Sequence, residues 1–163
     1  VSLTLKNGNA AGAGQSQILD GLANTCSIIS GQCNEKAVRD KIRAMSQIHG
    51  GAVFLGPASR LRATNVSFLG NTAYIGGAIY ADESSKGVSL VGCLFEGNAA
   101  VRERAMTGSD ETNPLLVGGF GGAIFIGGDS ANNDPKEILD MTSTSFIGNK
   151  AMLSGGAICW TRF

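Results

Sequence analysis

Phe68-Leu69-Gly70-Asn71, followed shortly by Gly76-Gly77-Ala78-Ile79, decides how this chain is read. The same two phrases return as Phe95-Glu96-Gly97-Asn98 with Gly121-Gly122-Ala123-Ile124, and as Phe146-Ile147-Gly148-Asn149 with Gly155-Gly156-Ala157-Ile158. Gly50-Gly51-Ala52-Val53 supplies one more second phrase upstream, and Leu5-Lys6-Asn7-Gly8-Asn9 a degenerate first phrase. Self-similarity of this kind marks a repeat architecture, in which each unit buries its apolar face only against its neighbours.

Aligned on the phenylalanines, the repeats acquire a strand pattern. Seven residues upstream stand Leu61, Val88 and Leu139, five upstream Ala63, Leu90 and Met141, and two upstream Val66, Cys93 and Thr144. The residues between them are mostly polar, so alternate side chains point inward along two short strands with a bend between. The Gly-Gly-Ala-Ile phrase opens a third strand at Ala52–Leu55, Ala78–Ala81, Ala123–Ile126 and Ala157–Trp160. Three short strands per coil, then a return to the start, predict an all-β protein, a parallel β-helix of about four coils. Coils stacked ~4.8 Å apart set Phe68, Phe95 and Phe146 in an internal aromatic stack with Leu5 below them. Asn71, Asn98 and Asn149 become an amide ladder at a corner.

By length the 163 residues make a single β-helix domain. Residues 1–9 read as a first partial coil, 10–49 as an insertion, and 50–163 as regular coils. A helix is expected at about 34–47, capped by Asn34, with Val38, Ile42 and Met45 on one stripe. The interval from Phe95 to Phe146 is nearly twice that from Phe68 to Phe95, and most of the excess falls between Asn98 and Gly121. The 10–49 insertion enters at that same corner, where repeat proteins carry either binding loops or tolerated growth. Val1 lies inside a strand pattern and Phe163 just beyond a freshly opened coil, so both ends read as cut and an open coil end as a template for association.

Thirteen Lys and Arg balance thirteen Asp and Glu, which gives no overall field toward nucleic acid or an anionic membrane. No apolar run reaches the ~20 residues of a transmembrane helix. Of the four cysteines, Cys26 and Cys33 bracket a short polar loop that a local disulfide could close, which would imply an oxidising compartment. Cys93 and Cys159 read as buried small hydrophobes. A single histidine, His49, and the absence of C-x-x-C argue against a zinc site. No metal or cofactor is expected.

The alternation of F-x-x-N and G-G-A-[ILV] phrases resembles the repeats of the chlamydial polymorphic membrane proteins, weakly over Val1–Asn9 and well over Gly50–Ile158. The resemblance implies a right-handed parallel β-helix, exported to the cell surface and used in adhesion. The long charged insertions depart from that pattern.

Many parallel β-helix proteins cleave polysaccharides, which requires convergent carboxylates. Here Arg62 and Asp140 stand in different coils, no carboxylate pair recurs at one coil position, and no catalytic residue is assigned. His49 reads as a corner residue. Phe54, Tyr80 and Phe125 occupy one position of three coils and are expected as an exposed aromatic strip if Val53, Ile79 and Ile124 face inward. Arg102 and Arg104 in the long corner insertion, and Trp160 near the open end, complete the expected contact surface. The reading is a non-enzymatic, adhesin-like protein-binding module, extracellular, at the cell surface or in another extracytoplasmic compartment. Its partners would be proteins engaged through corner insertions or open coil ends. A scaffold subunit of a larger assembly is the first alternative, and a glycan-binding or polysaccharide-cleaving β-helix the second.

Overall fold

The computed structural model describes residues 3–8, 26–27, 32–33, 49–105, 115–128 and 139–162. Eighteen strands run in chain order: β1 (Leu3–Lys6), β2 (Cys26–Ser27), β3 (Gln32–Cys33), β4 (Val53–Leu55), β5 (Arg60–Thr64), β6 (Val66–Leu69), β7 (Thr72–Ala73), β8 (Ile79–Ala81) and β9 (Gly87–Val91), then β10 (Leu94–Glu96), β11 (Ala99–Ala100), β12 (Arg102–Ala105), β13 (Leu115–Gly118), β14 (Ile124–Gly128), β15 (Leu139–Thr142), β16 (Ser145–Ile147), β17 (Lys150–Ala151) and β18 (Ile158–Arg162). The helix expected at about 34–47 lies outside the described residues.

The strands stack coil on coil into a parallel β-helix. One sheet has the order β1-β6-β10-β16, a second β4-β8-β14-β18, and a third β5-β9-β15. Every pairing within them is parallel, and the phenylalanine alignment is the register: Leu5 pairs with Phe68, Phe68 with Phe95, and Phe95 with Phe146. Leu61, Val88 and Leu139 likewise stand opposite one another. Beyond the three expected strands, each coil carries a fourth of two residues, in the sheet β7-β11-β17, and a bridge position at which His49, Ile75, Phe120 and Ser154 stack.

The core is the stack of inward rows. Phe68, Phe95 and Phe146 lie nearly parallel, with ring centroids 4.5 Å and 4.9 Å apart. Such pairs contribute roughly 0.5–1.5 kcal/mol beyond the area they bury. Val53, Ile79, Ile124 and Ile158 form a second inward row, and Leu55, Ala81 and Ile126 a third.

The asparagines satisfy a corner that the sheets leave open. Asn98 Oδ1 accepts from both the backbone N–H and the side-chain amide of Asn71, at 3.0 and 2.9 Å. Asn98 in turn donates from Nδ2 to the Phe68 carbonyl at 3.0 Å and to Asn149 Oδ1 at 2.9 Å. Asn149 repeats the motif with the Phe95 carbonyl at 2.9 Å. Asn71 and Asn98 are fully buried, so each amide bond replaces water that cannot enter. In the first coil the register places Gly8, not Asn9, at the ladder position, and its N–H donates to Asn71 Oδ1 at 2.9 Å.

The Gly-Gly phrase has two physical demands. Gly76 has φ of 65°, in the left-handed region. Gly77 needs space instead: a Cβ there would collide with the Gly122 carbonyl oxygen and lie 2.7 Å from the Ala99 backbone.

Candidate interaction surfaces

Four features bear on function: the corner insertions, an aromatic layer outside the core, the last coil, and the outer face of the sheet β5-β9-β15. In the long corner segment, β12 and β13 pair antiparallel, with Arg102 opposite Gly118 and Arg104 opposite Leu116. Arg102 is half-buried, its backbone N–H directed at the Met152 sulfur at 3.2 Å and its Nε buried without a partner among the described residues. It is thus a packing residue of the hairpin base as much as a surface cation. In the upstream insertion, β2 and β3 pair antiparallel with Cys26 directly opposite Cys33. Cys93 and Cys159 are free and buried. Burial pushes the Cys159 thiol above its ordinary value against an opposing hydrogen bond from Ser154, which favours its protonated form.

Phe54, Tyr80 and Phe125 do point away from the core, since Val53, Ile79 and Ile124 face inward. They stack in a ladder, with centroids 5.3 Å and 5.4 Å apart. The expectation that the ladder is exposed is corrected for two of its three members. Phe54 is 38 % exposed, but Tyr80 is 3 % and Phe125 6 %. The reason is a second layer laid over the outer face. The His49 ring stacks on Tyr80 at 4.1 Å, and Phe120 meets Phe125 edge-on at 6.5 Å. Both residues sit at the bridge position just before a Gly-Gly phrase, a place whose direction strand alternation does not specify.

His49 is 1 % exposed, and among the described residues neither ring nitrogen has a hydrogen-bond partner. Burial holds its imidazole well below the ordinary histidine value, at about 4, against a smaller opposing pull from the Asp82 carboxylate. At neutral pH it is an uncharged aromatic ring.

The last coil presents apolar surface. Met141, Ile147, Met152, Leu153 and Trp160 supply five of the eight large exposed hydrophobics among the described residues. Two of them belong to inward rows: Met141 pairs with buried Leu90, and Trp160, half exposed, with buried Ile126. Among the described residues β15, β16, β17 and β18 are the outermost strands of their sheets on this side.

With this geometry in place, the repeat unit can be compared with known proteins. The Chlamydia polymorphic membrane protein (Chlamydia_PMP) repeat matches residues 65–82 and 143–159. The chain carries polymorphic membrane protein repeats. The intervening coil lies outside these matches; its register is the same, but the β12–β13 segment separates Asn98 from Gly121. A chain named "Probable outer membrane protein pmp6", from Chlamydia pneumoniae, is 36% identical over 100 residues, covering 60% of this chain and 7% of that protein. This chain thus spans a small fraction of that relative's length. No solved structure matches.

On the third sheet, the structure brings together residues that the sequence reading kept apart. Arg62, Ser89 and Asp140 are in register across β5, β9 and β15, on the outward side. Each stands six residues before its phenylalanine, so the signal was present in the repeat alignment. Among the described residues no group of His, Cys, Asp and Glu could hold a metal ion, and no helix is long and apolar enough to cross a membrane.

Proposed function

We propose that this β-helix is a non-catalytic, extracytoplasmic protein-binding module with an adhesin-like role. The observation that carries the reading is the β12–β13 pair, a two-stranded antiparallel sheet set apart from the parallel sheets at the corner where the repeat is interrupted. A partner that adds a strand to an edge of that pair gains main-chain hydrogen bonds without disturbing the coils. The polymorphic membrane protein repeats, and a relative named as an outer membrane protein, support an extracytoplasmic setting. The outward row of the third sheet supports a non-catalytic reading, because it brings one carboxylate, Asp140, to a face with two arginines and not the carboxylate pair that glycoside hydrolysis uses.

The test is adhesion of beads coated with the folded chain to cultured epithelial cells. Coated beads should exceed albumin-coated beads, and soluble chain should compete. A variant in which a short Gly-Ser linker replaces residues 103–117, and which melts like the parent, should lose most of the excess. Adhesion no greater than that of albumin, or full adhesion by the variant, would overturn the reading. Light scattering on the same preparations separates a monomeric binder from a subunit that assembles with its own copies.

A further inference from the structure

The outer face of the sheet β5-β9-β15 holds a groove of about 680 Å³ lined in part by Arg60, Arg62, Gly87, Ser89 and Asp140. Its floor is the row Arg62–Ser89–Asp140, one residue per coil. Arg60 stands opposite Gly87, so no side chain fills the space beside it. The Arg60 Nε donates to the Lys86 carbonyl at 3.1 Å. That bond fixes the guanidinium across the neighbouring coil and leaves its terminal amino groups free to bind. Among the described residues neither Arg62 nor Asp140 is in an ion pair, although the groove holds both signs of charge. Ser89 stands between them and keeps them a strand apart.

We propose that this groove binds an acidic oligosaccharide, a glycan whose sugar rings carry carboxylates, through Arg60 and Arg62 for the carboxylates and Ser89 and Asp140 for the hydroxyls. The chemistry selects that class. Guanidinium forks match carboxylate geometry and form the stronger, charge-assisted hydrogen bonds. The Asp140 carboxylate accepts only, so its partner must donate, as a sugar hydroxyl does. A uronate ring offers both functions within one unit, whereas a polyanion of phosphates or of side-chain carboxylates meets Asp140 with like charge. Nucleic acid would also want an aromatic platform for its bases, and the groove lining has none. The row repeats coil by coil, so successive sugars of a linear chain find successive side chains. Arg60 is anchored before the ligand arrives, which lowers the ordering cost of binding. The site is on a different sheet from β12 and β13, and it stands or falls independently of the adhesion proposed above.

The experiment is calorimetric titration of the full chain with a galacturonate hexamer and a hyaluronan hexamer as acidic probes, maltohexaose as neutral control, and hexaglutamate as peptide control. At least one acidic sugar should bind saturably and weaken with added salt, with maltohexaose silent. Arg60→Gln and Arg62→Gln should each weaken it about tenfold or more, the loss of a charged hydrogen-bonding partner. Asp140→Asn separates the sources of affinity: it should weaken or leave unchanged the binding of the sugar while improving that of hexaglutamate. All three residues are exposed, so the variants are expected to keep the parental melting temperature. No saturable binding of either acidic sugar overturns the proposal. So does sugar binding indifferent to both arginine variants, or hexaglutamate binding as tightly as the sugars, which would make the groove an acidic-peptide site.

Discussion

Lowering the pH from 7 to 4.5 charges a histidine in an unfolded chain, but His49 in the folded protein resists it. Its imidazole is pressed on Tyr80 at 4.1 Å, is 1 % exposed, and has its pKa lowered from 6.5 to about 4. The unfolded chain therefore takes up this proton first. Stability from the neutral ring is complete above about pH 6.5 and is lost as pH falls toward 4. From those two values the loss relative to pH 7 is about 1 kcal/mol at pH 5.5 and about 2 kcal/mol at pH 4.5, approaching a limit of about 3 kcal/mol. The perturbation is His49→Phe, which keeps a ring on Tyr80 and removes two buried nitrogens that have no partners among the described residues. At pH 7 the variant should match the parent or exceed it by about 1 kcal/mol, because a desolvated polar group is no longer unpaired. Urea unfolding at pH 7, 5.5 and 4.5, followed by circular dichroism, gives both stabilities at each pH. Carboxylates titrate in both proteins and cancel in the difference, so the gap between variant and parent should widen by about 2 kcal/mol between pH 7 and 4.5. Parallel pH profiles would refute the reasoning and place His49 in a solvated or hydrogen-bonded setting.

Three further outcomes follow from the fold. Asn98→Ala deletes the shared acceptor of Asn71 and two donated bonds in a fully buried corner, and should cost at least about 3 kcal/mol in urea unfolding, with Asn149→Ala at the half-buried end costing less. Gly77→Ala should abolish folding or cost several times more than Gly97→Ala, because Gly97 has open space around its Cβ position and only its φ of 62° to resist substitution, about 1–2 kcal/mol; equal melting temperatures would deny the close coil contact. Thiol titration in denaturant should give two reactive thiols before reduction and four after it, since directly opposed antiparallel residues lie about 4.5–5.5 Å apart at Cα, within disulfide range, and the backbone sets Cys26 opposite Cys33; four thiols without reductant would refute the bond.

The sequence by itself determined the repeat, the register and the inward rows. A solenoid places the same residue over itself coil after coil, so periodic Phe, Asn and Gly-Gly phrases carry long-range pairing in one dimension. The two-residue strands β7, β11 and β17 were not legible, because Thr72-Ala73, Ala99-Ala100 and Lys150-Ala151 are too short to show alternation. Alternation correctly turned Phe54, Tyr80 and Phe125 away from the core but could not tell whether that side meets water. Only the tertiary structure, by folding His49 and Phe120 back over the sheet, buried Tyr80 and Phe125. The groove shows the same division. Arg62, Ser89 and Asp140 share a coil position that alignment can find. That they line one cavity, with Arg60 held over Gly87, depends on how adjacent coils set their side chains in space, and a one-dimensional repeat does not encode that.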